Sequence, residues 1–194
     1  MSNKFNYCSD EHSACGVGFI KKKKKKYTHS HLIEGLHALR CVEHRGACSA
    51  DGITGDGAGI MTDIPFEMLG FEKDTVAVAT LFLATDEDKQ RSALNIFEKT
   101  FNFFGLEILD YRDVPVNHSI LGKDAAANVP VIKHAIIKRP ERSKTNFSFD
   151  KRLYNAKQLT RSKLSEALLI QSLHFASLSA QTIVYKALTN FFFF

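Results

Sequence analysis

The sequence predicts a layered α/β (α+β) fold in which strands alternate with amphipathic helices. Three observations favour this class. Residues 75–84 form an apolar run that is typical of a buried strand. The segment that follows Thr85 carries apolar side chains at helical spacing as far as Gly105, which predicts a capped amphipathic helix. Residues 174–179 and 182–188 alternate in hydrophobicity and predict the two strands of a hairpin.

The first 62 residues contain four further predicted elements. Residues 15–20 are apolar and rich in glycine, and we expect a buried strand there. Ser30 is a natural N-cap for a helix that ends near residues 44–46. Residues 52–59 predict a tight glycine-rich turn that leads into a strand at residues 60–62.

The rest of the chain continues the alternation without an internal repeat. Strands are predicted at residues 106–114 and 129–138, and a more polar helix at residues 150–172. In the helix after Thr85 the apolar face is expected to consist of Leu94, Phe97, Phe101 and Phe104.

The charge and the cysteine content bound the class of function. The net charge of +5 comes from 26 basic and 21 acidic residues, but without the run Lys21–Lys26 it becomes 20 − 21 = −1. We interpret the run as a solvated loop and expect no nucleic-acid partner. No apolar run approaches the ~20 residues that span a bilayer, so no membrane partner is expected. Four cysteines without a CxxC pair indicate free thiols and a cytoplasmic location.

Two motifs that suggest cofactors do not fit their patterns. The glycines at 55 and 57 would need a third at position 60, where Ile60 stands, so the dinucleotide-binding pattern fails. Cys41, His44 and Cys48, even with His37, do not show a usual zinc-ligand spacing, and we expect no metal site.

Cys15 is the candidate for covalent chemistry. Cleavage after Ala14 would give this residue a free α-amine, with a pKa near 8, within reach of its own thiol. Such an amine can act as the general base for nucleophilic attack on an amide, provided that an oxyanion hole is present. The alternative is a structural cysteine buried in a glycine-rich strand.

Several motifs in order resemble one family. CGVGFI at 15–20, HRGACSADGITGDGAGI at 44–60 and YRDVPVNHSILG at 111–122 are similar to the amino-terminal glutaminase domain of glutamate synthase large subunits. The sequences IP at 64–65, VPVI at 129–132 and FASLSAQTIVYKAL at 175–188 extend the resemblance over residues 10–190. It identifies the chain as a class II glutamine amidotransferase.

The resemblance implies a fold, a domain division and site residues. The fold is the four-layer αββα sandwich of the N-terminal-nucleophile hydrolases, here incomplete. Residues 1–14 match the propeptide, and residues 15–194 match the first part of the amidotransferase domain. Cys15 matches the nucleophile, and Arg45 matches the arginine that supports the nucleophile's site. Asp56 lies in the family's Gly-Asp-Gly-Ala-Gly segment, and we read it as structural.

The implied activity is that of an enzyme that hydrolyses glutamine and passes the ammonia to 2-oxoglutarate to make glutamate, in nitrogen assimilation. In the full-length family protein the resemblance implies FMN and an iron–sulfur cluster, with none in this segment. It also implies a small NADPH-oxidising subunit as partner, although NADPH, NADH and ferredoxin all remain open as electron donors. The alternatives are another class II glutamine amidotransferase, or a fragment without activity.

The sequence departs from the family pattern in one respect that concerns chemistry. The family's oxyanion hole comes from an Asn-Gly pair, and the chain contains no Asn-Gly dipeptide. We therefore expect the C-terminal part of the amidotransferase domain and the synthase domains to be absent from it. The four phenylalanines at 191–194 suggest a natural truncation or a slipped reading frame.

Overall fold

The computed structural model describes residues 16–21, 28–42, 46 and 50–189, with the backbone alone at residues 56 and 187–189. The helices and strands in these ranges, in chain order, are α1 (His29–Cys41), β1 (Thr54–Asp63), α2 (Phe66–Leu69), β2 (Val76–Leu83), α3 (Glu87–Phe103), β3 (Ile108–Asp113), a 3-10 helix (His118–Ile120), α4 (Lys123–Ala126), β4 (Val131–Lys138), α5 (Asn146–Glu166), β5 (Leu173–Ser179) and β6 (Thr182–Thr189).

The strands form two antiparallel sheets. The larger sheet has the order β3-β4-β2-β5, and the smaller one pairs β1 with β6. In the larger sheet Thr80 lies opposite His134 on one side and opposite Ser177 on the other. In the smaller sheet Ile60 pairs with Tyr185, and Thr62 pairs with Ile183.

The main hydrophobic core lies between the larger sheet and helices α3 and α5. Phe97 and Phe101 from α3 contact Phe175 from β5, with ring centroids 5.8 and 6.2 Å apart. Where the two helices meet, the hydroxyls of Thr100 and Thr160 form a buried hydrogen bond of 2.6 Å. This core occupies one face of the larger sheet.

A second core fills the space between the two sheets. Val78 and Ile136 from the larger sheet pack with Ile64 and Ile183 from the smaller sheet and its flank. Helix α1 contacts β1 in turn. The predicted α/β class, with two sheets packed together and helices against them, is therefore confirmed.

The strands predicted at 75–84, 106–114 and 129–138 are confirmed as β2, β3 and β4. The amphipathic helix is confirmed as α3, with Phe97 and Phe101 fully buried. Its cap differs from the prediction, because the side chain of Asp86, rather than Thr85, accepts hydrogen bonds from Asp88 N and Lys89 N.

Local sequence features explain where helix α3 ends and where helix α5 begins. Gly105 has a φ of 66°, which places it in the left-handed region that commonly terminates helices. Helix α5 begins earlier than predicted, at residue 146, because Thr145 and Ser148 form a capping box. Helix α1 begins after Thr28 and not, as the sequence predicted, after Ser30.

The hairpin predicted for residues 174–188 is wrong in its pairing. Both strands exist, but β5 pairs with β2, whereas β6 pairs with β1. The chain passes from one sheet to the other through Ala180 and Gln181, and Asp150 of α5 accepts a 2.9 Å hydrogen bond from Ala180 N. Alternating hydrophobicity therefore located the strands without specifying their partners.

Two predictions near the start of the chain are also wrong. Residues 16–20 form no strand, and Val17 and Phe19 are exposed. Glycines at 16 and 18 offer no side chain to pack, which weakens a strand. In contrast, residues 54–59 are part of β1 and not a turn. An irregularity between Thr54 and Ala58, with Gly57 at a φ of 101°, accommodates the glycines.

Lys21 is exposed, as the loop interpretation of the basic run requires, and residues 22–27 lie outside the described ranges. None of the helices in the part of the chain that the structure describes has the length and apolar character needed to cross a bilayer.

Candidate active site

The two predicted catalytic residues, Cys15 and Arg45, lie outside the described residues, as does the side chain of Asp56. The structure does describe a residue close to each in sequence. A Cβ atom on Gly16 would lie 2.9 Å from Cβ of Val42. The residue directly after Cys15 therefore packs against the end of α1, three residues before Arg45, and only glycine fits that contact.

Asp51, in the same sequence motif as Arg45, is the centre of a hydrogen-bond network. Its Oδ1 accepts from Ile53 N at 3.0 Å and from Thr54 N at 2.7 Å. Its Oδ2 accepts from the Thr54 hydroxyl at 2.6 Å and from Asp124 N at 3.4 Å. The Thr54 hydroxyl also accepts from Ala125 N at 3.2 Å. These contacts join the start of β1 to helix α4.

The hydrogen bonds to Asp51 have an electrostatic consequence. The Thr54 hydroxyl first, and then the backbone N–H groups of Ile53 and Thr54, lower the pKa of the Asp51 carboxyl well below its ordinary value. The carboxylate is therefore ionised at neutral pH. Sequence reasoning missed this residue, although aspartate followed by glycine is a common signal for a side chain that caps a turn.

Gly122 allows the start of β1 to approach helix α4 closely. A Cβ at this position would lie 2.8 Å from the backbone nitrogen of Thr54 and would also collide with the side chains of Asp51 and Thr54. Gly122 is the last residue of the motif at 111–122, and Asp51 belongs to the motif at 44–60. The structure therefore brings together two motifs that were recognised separately in the sequence.

A row of polar residues crosses the larger sheet. Arg112, His134, Thr80 and Ser177 lie opposite one another on β3, β4, β2 and β5. Ser177 Oγ donates to Thr80 Oγ1 at 3.0 Å and accepts from Val184 N of the smaller sheet at 3.3 Å. The row thus links the two sheets through a serine of the motif at 175–188.

His134 is the unusual member of this row. Its side chain is only 3% exposed, and neither ring nitrogen has a hydrogen-bond partner among the described residues. The ring of Tyr185 packs against it edge to face, with centroids 6.2 Å apart. Burial, and then the nearby Arg112 guanidinium, lower the pKa of His134 to about 4. Sequence reasoning missed this residue too, although a histidine inside an apolar strand was visible.

The described residues do not fit a metal centre or an iron–sulfur cluster. Cys41 is an exposed free thiol with Sγ 3.9 Å from His37 Nδ1. His44 and Cys48 lie outside the described ranges. Within those ranges no three His, Cys, Asp or Glu side chains converge where they could hold a metal ion.

Comparison with known proteins identifies the family. The family model of class-II glutamine amidotransferases matches residues 15–191, so the chain belongs to that family. The match begins at Cys15 itself.

Within this family, the chain is similar in sequence to glutamate synthases. The chain is 35% identical over 188 residues to ferredoxin-dependent glutamate synthase 2 of Arabidopsis thaliana. It is 38% identical over 194 residues to ferredoxin-dependent glutamate synthase of Pyropia yezoensis. It is 34% identical over 187 residues to the large chain of NADPH glutamate synthase of Bacillus subtilis. Each alignment covers 92% of this chain, which spans about 12% of the length of these relatives.

Proposed function

We propose that this chain hydrolyses glutamine at Cys15, and that the ammonia released aminates 2-oxoglutarate to make glutamate in a longer protein of the glutamate synthase kind. The observation that carries the proposal is the family match, which covers residues 15–191 and starts at the predicted nucleophile. The names of the relatives support the choice of glutamate synthase over other class II amidotransferases.

The chemistry follows from a free amine and a thiol on one residue. The α-amine of Cys15 takes the thiol proton, and the thiolate attacks the carboxamide carbon of glutamine. The tetrahedral intermediate collapses to a thioester as ammonia leaves with a proton from the ammonium group. Water then attacks the thioester with the amine as base, and glutamate is released. In this proposal residues 1–14 are a propeptide, since an acylated nitrogen cannot accept a proton.

The proposed role of Arg45 is electrostatic. A guanidinium near the nucleophile favours thiolate over thiol and offers a partner for anionic groups. Gly16, which follows Cys15 directly, packs against Val42, which precedes Arg45 by three residues, so the described residues next to these two positions in sequence lie together.

The wider setting is also part of the proposal. Residues 15–194 are a segment of the amidotransferase domain, and FMN and the iron–sulfur cluster of the full-length enzyme bind outside it. The partner proposed for that enzyme is a small NADPH-oxidising subunit, which the name of the Bacillus subtilis relative favours. The names of the other relatives favour ferredoxin as the alternative electron donor. The compartment proposed is the cytoplasm.

The second candidate is a fragment without activity that lacks the oxyanion hole. The absence of an Asn-Gly dipeptide from the sequence favours it, because in the family that pair supplies the oxyanion hole.

A paired assay separates the two candidates. Ammonia release from glutamine is measured for the protein and for Cys15→Ala, with Cys41→Ala as a matched control at an exposed free thiol. In parallel, a diazo-ketone analogue of glutamine is used to label the protein, and peptide mapping locates the adduct. Turnover that Cys15→Ala abolishes and Cys41→Ala preserves supports glutamine hydrolysis. Labelling at Cys15 without turnover supports the second candidate, and the absence of both refutes the site.

A further inference from the structure

We propose that the free edge of strand β5 is a docking site for an extended, carboxylate-rich segment of polypeptide. The segment belongs to the part of the longer protein that lies outside this chain. That source rests on the proposed function, whereas the binding itself involves neither glutamine nor Cys15.

Strand β5 (Leu173–Ser179) is the outermost strand on one side of the larger sheet. Among the strands that the structure describes, it pairs with β2 alone in that sheet. An edge strand leaves a row of backbone N–H and C=O groups that a further strand can bind. The addition of an extended peptide to such an edge is a common mode of peptide recognition.

Basic side chains reach this edge from both faces of the sheet. Leu173 and Phe175 point into the main core, so His174 between them points to the opposite face. There its ring lies against Phe82, with centroids 6.3 Å apart. On the core face, Nζ of Lys157 lies 5.8 Å from the centre of the Phe175 ring. Lys157 comes from helix α5, so groups from two layers meet at β5.

Two further cations complete the group. Arg161 follows Lys157 by one helical turn on α5, and Lys186 lies on β6 in the smaller sheet. Burial first, and then Arg161 and Lys186, lower the pKa of Lys157. Burial first, and then the charges of these three cations, lower the pKa of His174. The side chains therefore repel one another around the edge of the sheet. We call these four residues the β5 cationic cluster.

The cluster has no negative partner among the described residues. None of its members forms an ion pair there with a carboxylate. Asp150 lies at the other end of β5, where it accepts the hydrogen bond from Ala180 N. Like charges one helical turn apart, such as Lys157 and Arg161, are destabilising. A surface of one sign complements a partner of the opposite sign, and so the segment that docks here carries carboxylates.

The opposite edge of the same sheet differs in charge. Strand β3 carries both signs along its length, with Asp110, Arg112 and Asp113. Lys133 of the neighbouring strand β4 lies 2.5 Å from the Asp113 carboxylate. The charges at this edge are therefore partly balanced within the sheet, and β3 serves as the internal reference for β5.

The experiment uses this chain and a synthetic probe. The probe is an amidated, fluorescein-labelled hexapeptide of alternating glutamate and valine. Fluorescence anisotropy measures its binding at ionic strengths of about 0.05 and 0.3 M. Hydrogen–deuterium exchange with an unlabelled peptide locates the contact. The cluster variant is Lys157→Gln/Arg161→Gln/Lys186→Gln. The matched control is Lys73→Gln/Arg142→Gln/Lys99→Gln, which removes the same charge from exposed positions on other elements.

We expect the peptide to bind the parent chain and the control variant alike. The cluster variant should bind about five- to tenfold more weakly, as the loss of three exposed charge pairs implies. Binding should weaken at the higher ionic strength. The amides of residues 173–179 should gain protection from exchange when the peptide is bound, whereas those of residues 108–113 should not.

Three results would overturn the inference. Without binding, or without protection of the β5 amides, the cations only keep the edge from pairing. Tighter binding of tripolyphosphate than of the peptide would make the cluster a site for small anions. Tighter binding of an oligothymidylate would make it a nucleic-acid surface. Each result leaves the proposed function standing, because glutamine turnover that depends on Cys15 is measured separately.

Discussion

His134 on β4 lies directly opposite Arg112 on β3, and the imidazole is buried while the guanidinium is exposed at the edge of the sheet. Tyr185 packs on the imidazole from the second sheet, and Thr80 lies opposite it on β2. The neighbouring charge is positive, and no carboxylate pairs with the imidazole among the described residues. A proton on His134 therefore has no partner that offsets its desolvation.

The first prediction concerns the pH dependence of stability. The pKa of His134 is about 4 in the folded protein and near 6.5 in the unfolded chain, so the unfolded state takes up the proton first. Its contribution to the free energy of unfolding is complete above pH 6.5 and is lost as the pH falls towards 4, by about 3 kcal/mol. We expect His134→Leu to remove that part of the pH dependence. Urea unfolding at pH 7, 5.5 and 4.5 measures it.

The exposed His37→Leu is the control for this comparison. It should keep the pH dependence of the parent protein. A His134→Leu profile as steep as that of the parent would contradict the assignment of the loss to this imidazole.

The second prediction concerns the close contact at Gly122. Gly122→Ala places a methyl group against the backbone of Thr54, which cannot move without disturbing β1. We expect a loss of about 1–3 kcal/mol in the free energy of unfolding. Gly18→Ala is the matched control, because a Cβ there would meet nothing within 4 Å. If the two variants have equal free energies of unfolding in chemical denaturation, the contact between Gly122 and Thr54 can widen without loss of stability, and the prediction is wrong.

The third prediction concerns processing. If Cys15 acts through its own α-amine, the active protein begins at Cys15, since amide nitrogen is not basic. Intact-mass measurement of active material should show the loss of residues 1–14. Active protein that retains Met1 or Ser2 would rule out this mechanism.

The fourth prediction concerns the run Lys21–Lys26. Replacement of all six lysines by serine or glutamine should lower the isoelectric point and change the free energy of unfolding by no more than about 0.5 kcal/mol, as is usual for solvated positions. Isoelectric focusing and urea denaturation together provide the test. A much larger loss of stability would mean that the run packs against the folded domain.

The sequence predicted local features of the fold better than long-range ones. The strand β2 and the helix α3 were predictable because period and burial agree along each segment: Leu81 and Leu83 share one face of the strand, and Phe97 and Phe101 share one face of the helix. The partners of β5 and β6 were not predictable, because alternating hydrophobicity shows which face of a strand is buried and does not show which strand pairs with it.

In the candidate site, too, local features could be predicted from the sequence and long-range contacts could not. The chemistry of Cys15 could be argued from the residue and its neighbours, because amine and thiol belong to one amino acid. The junction at Asp51 could not, because the hydrogen bond from Asp124 N joins two motifs that only the fold brings together. His134 lay within a predicted strand, but only the sheet register shows that Arg112 faces it.

The pairing of β1 with β6 has a consequence for the order of events during synthesis. Residues 64–181 separate these strands in sequence, yet each is the other's partner in the smaller sheet. On the ribosome β1 emerges before β6 and has no partner in the smaller sheet until β6 follows, so this sheet forms after the strands of the larger sheet have emerged and closes a long loop. The layer of α3, α5 and the larger sheet must then serve as the template on which Ile183 and Tyr185 dock.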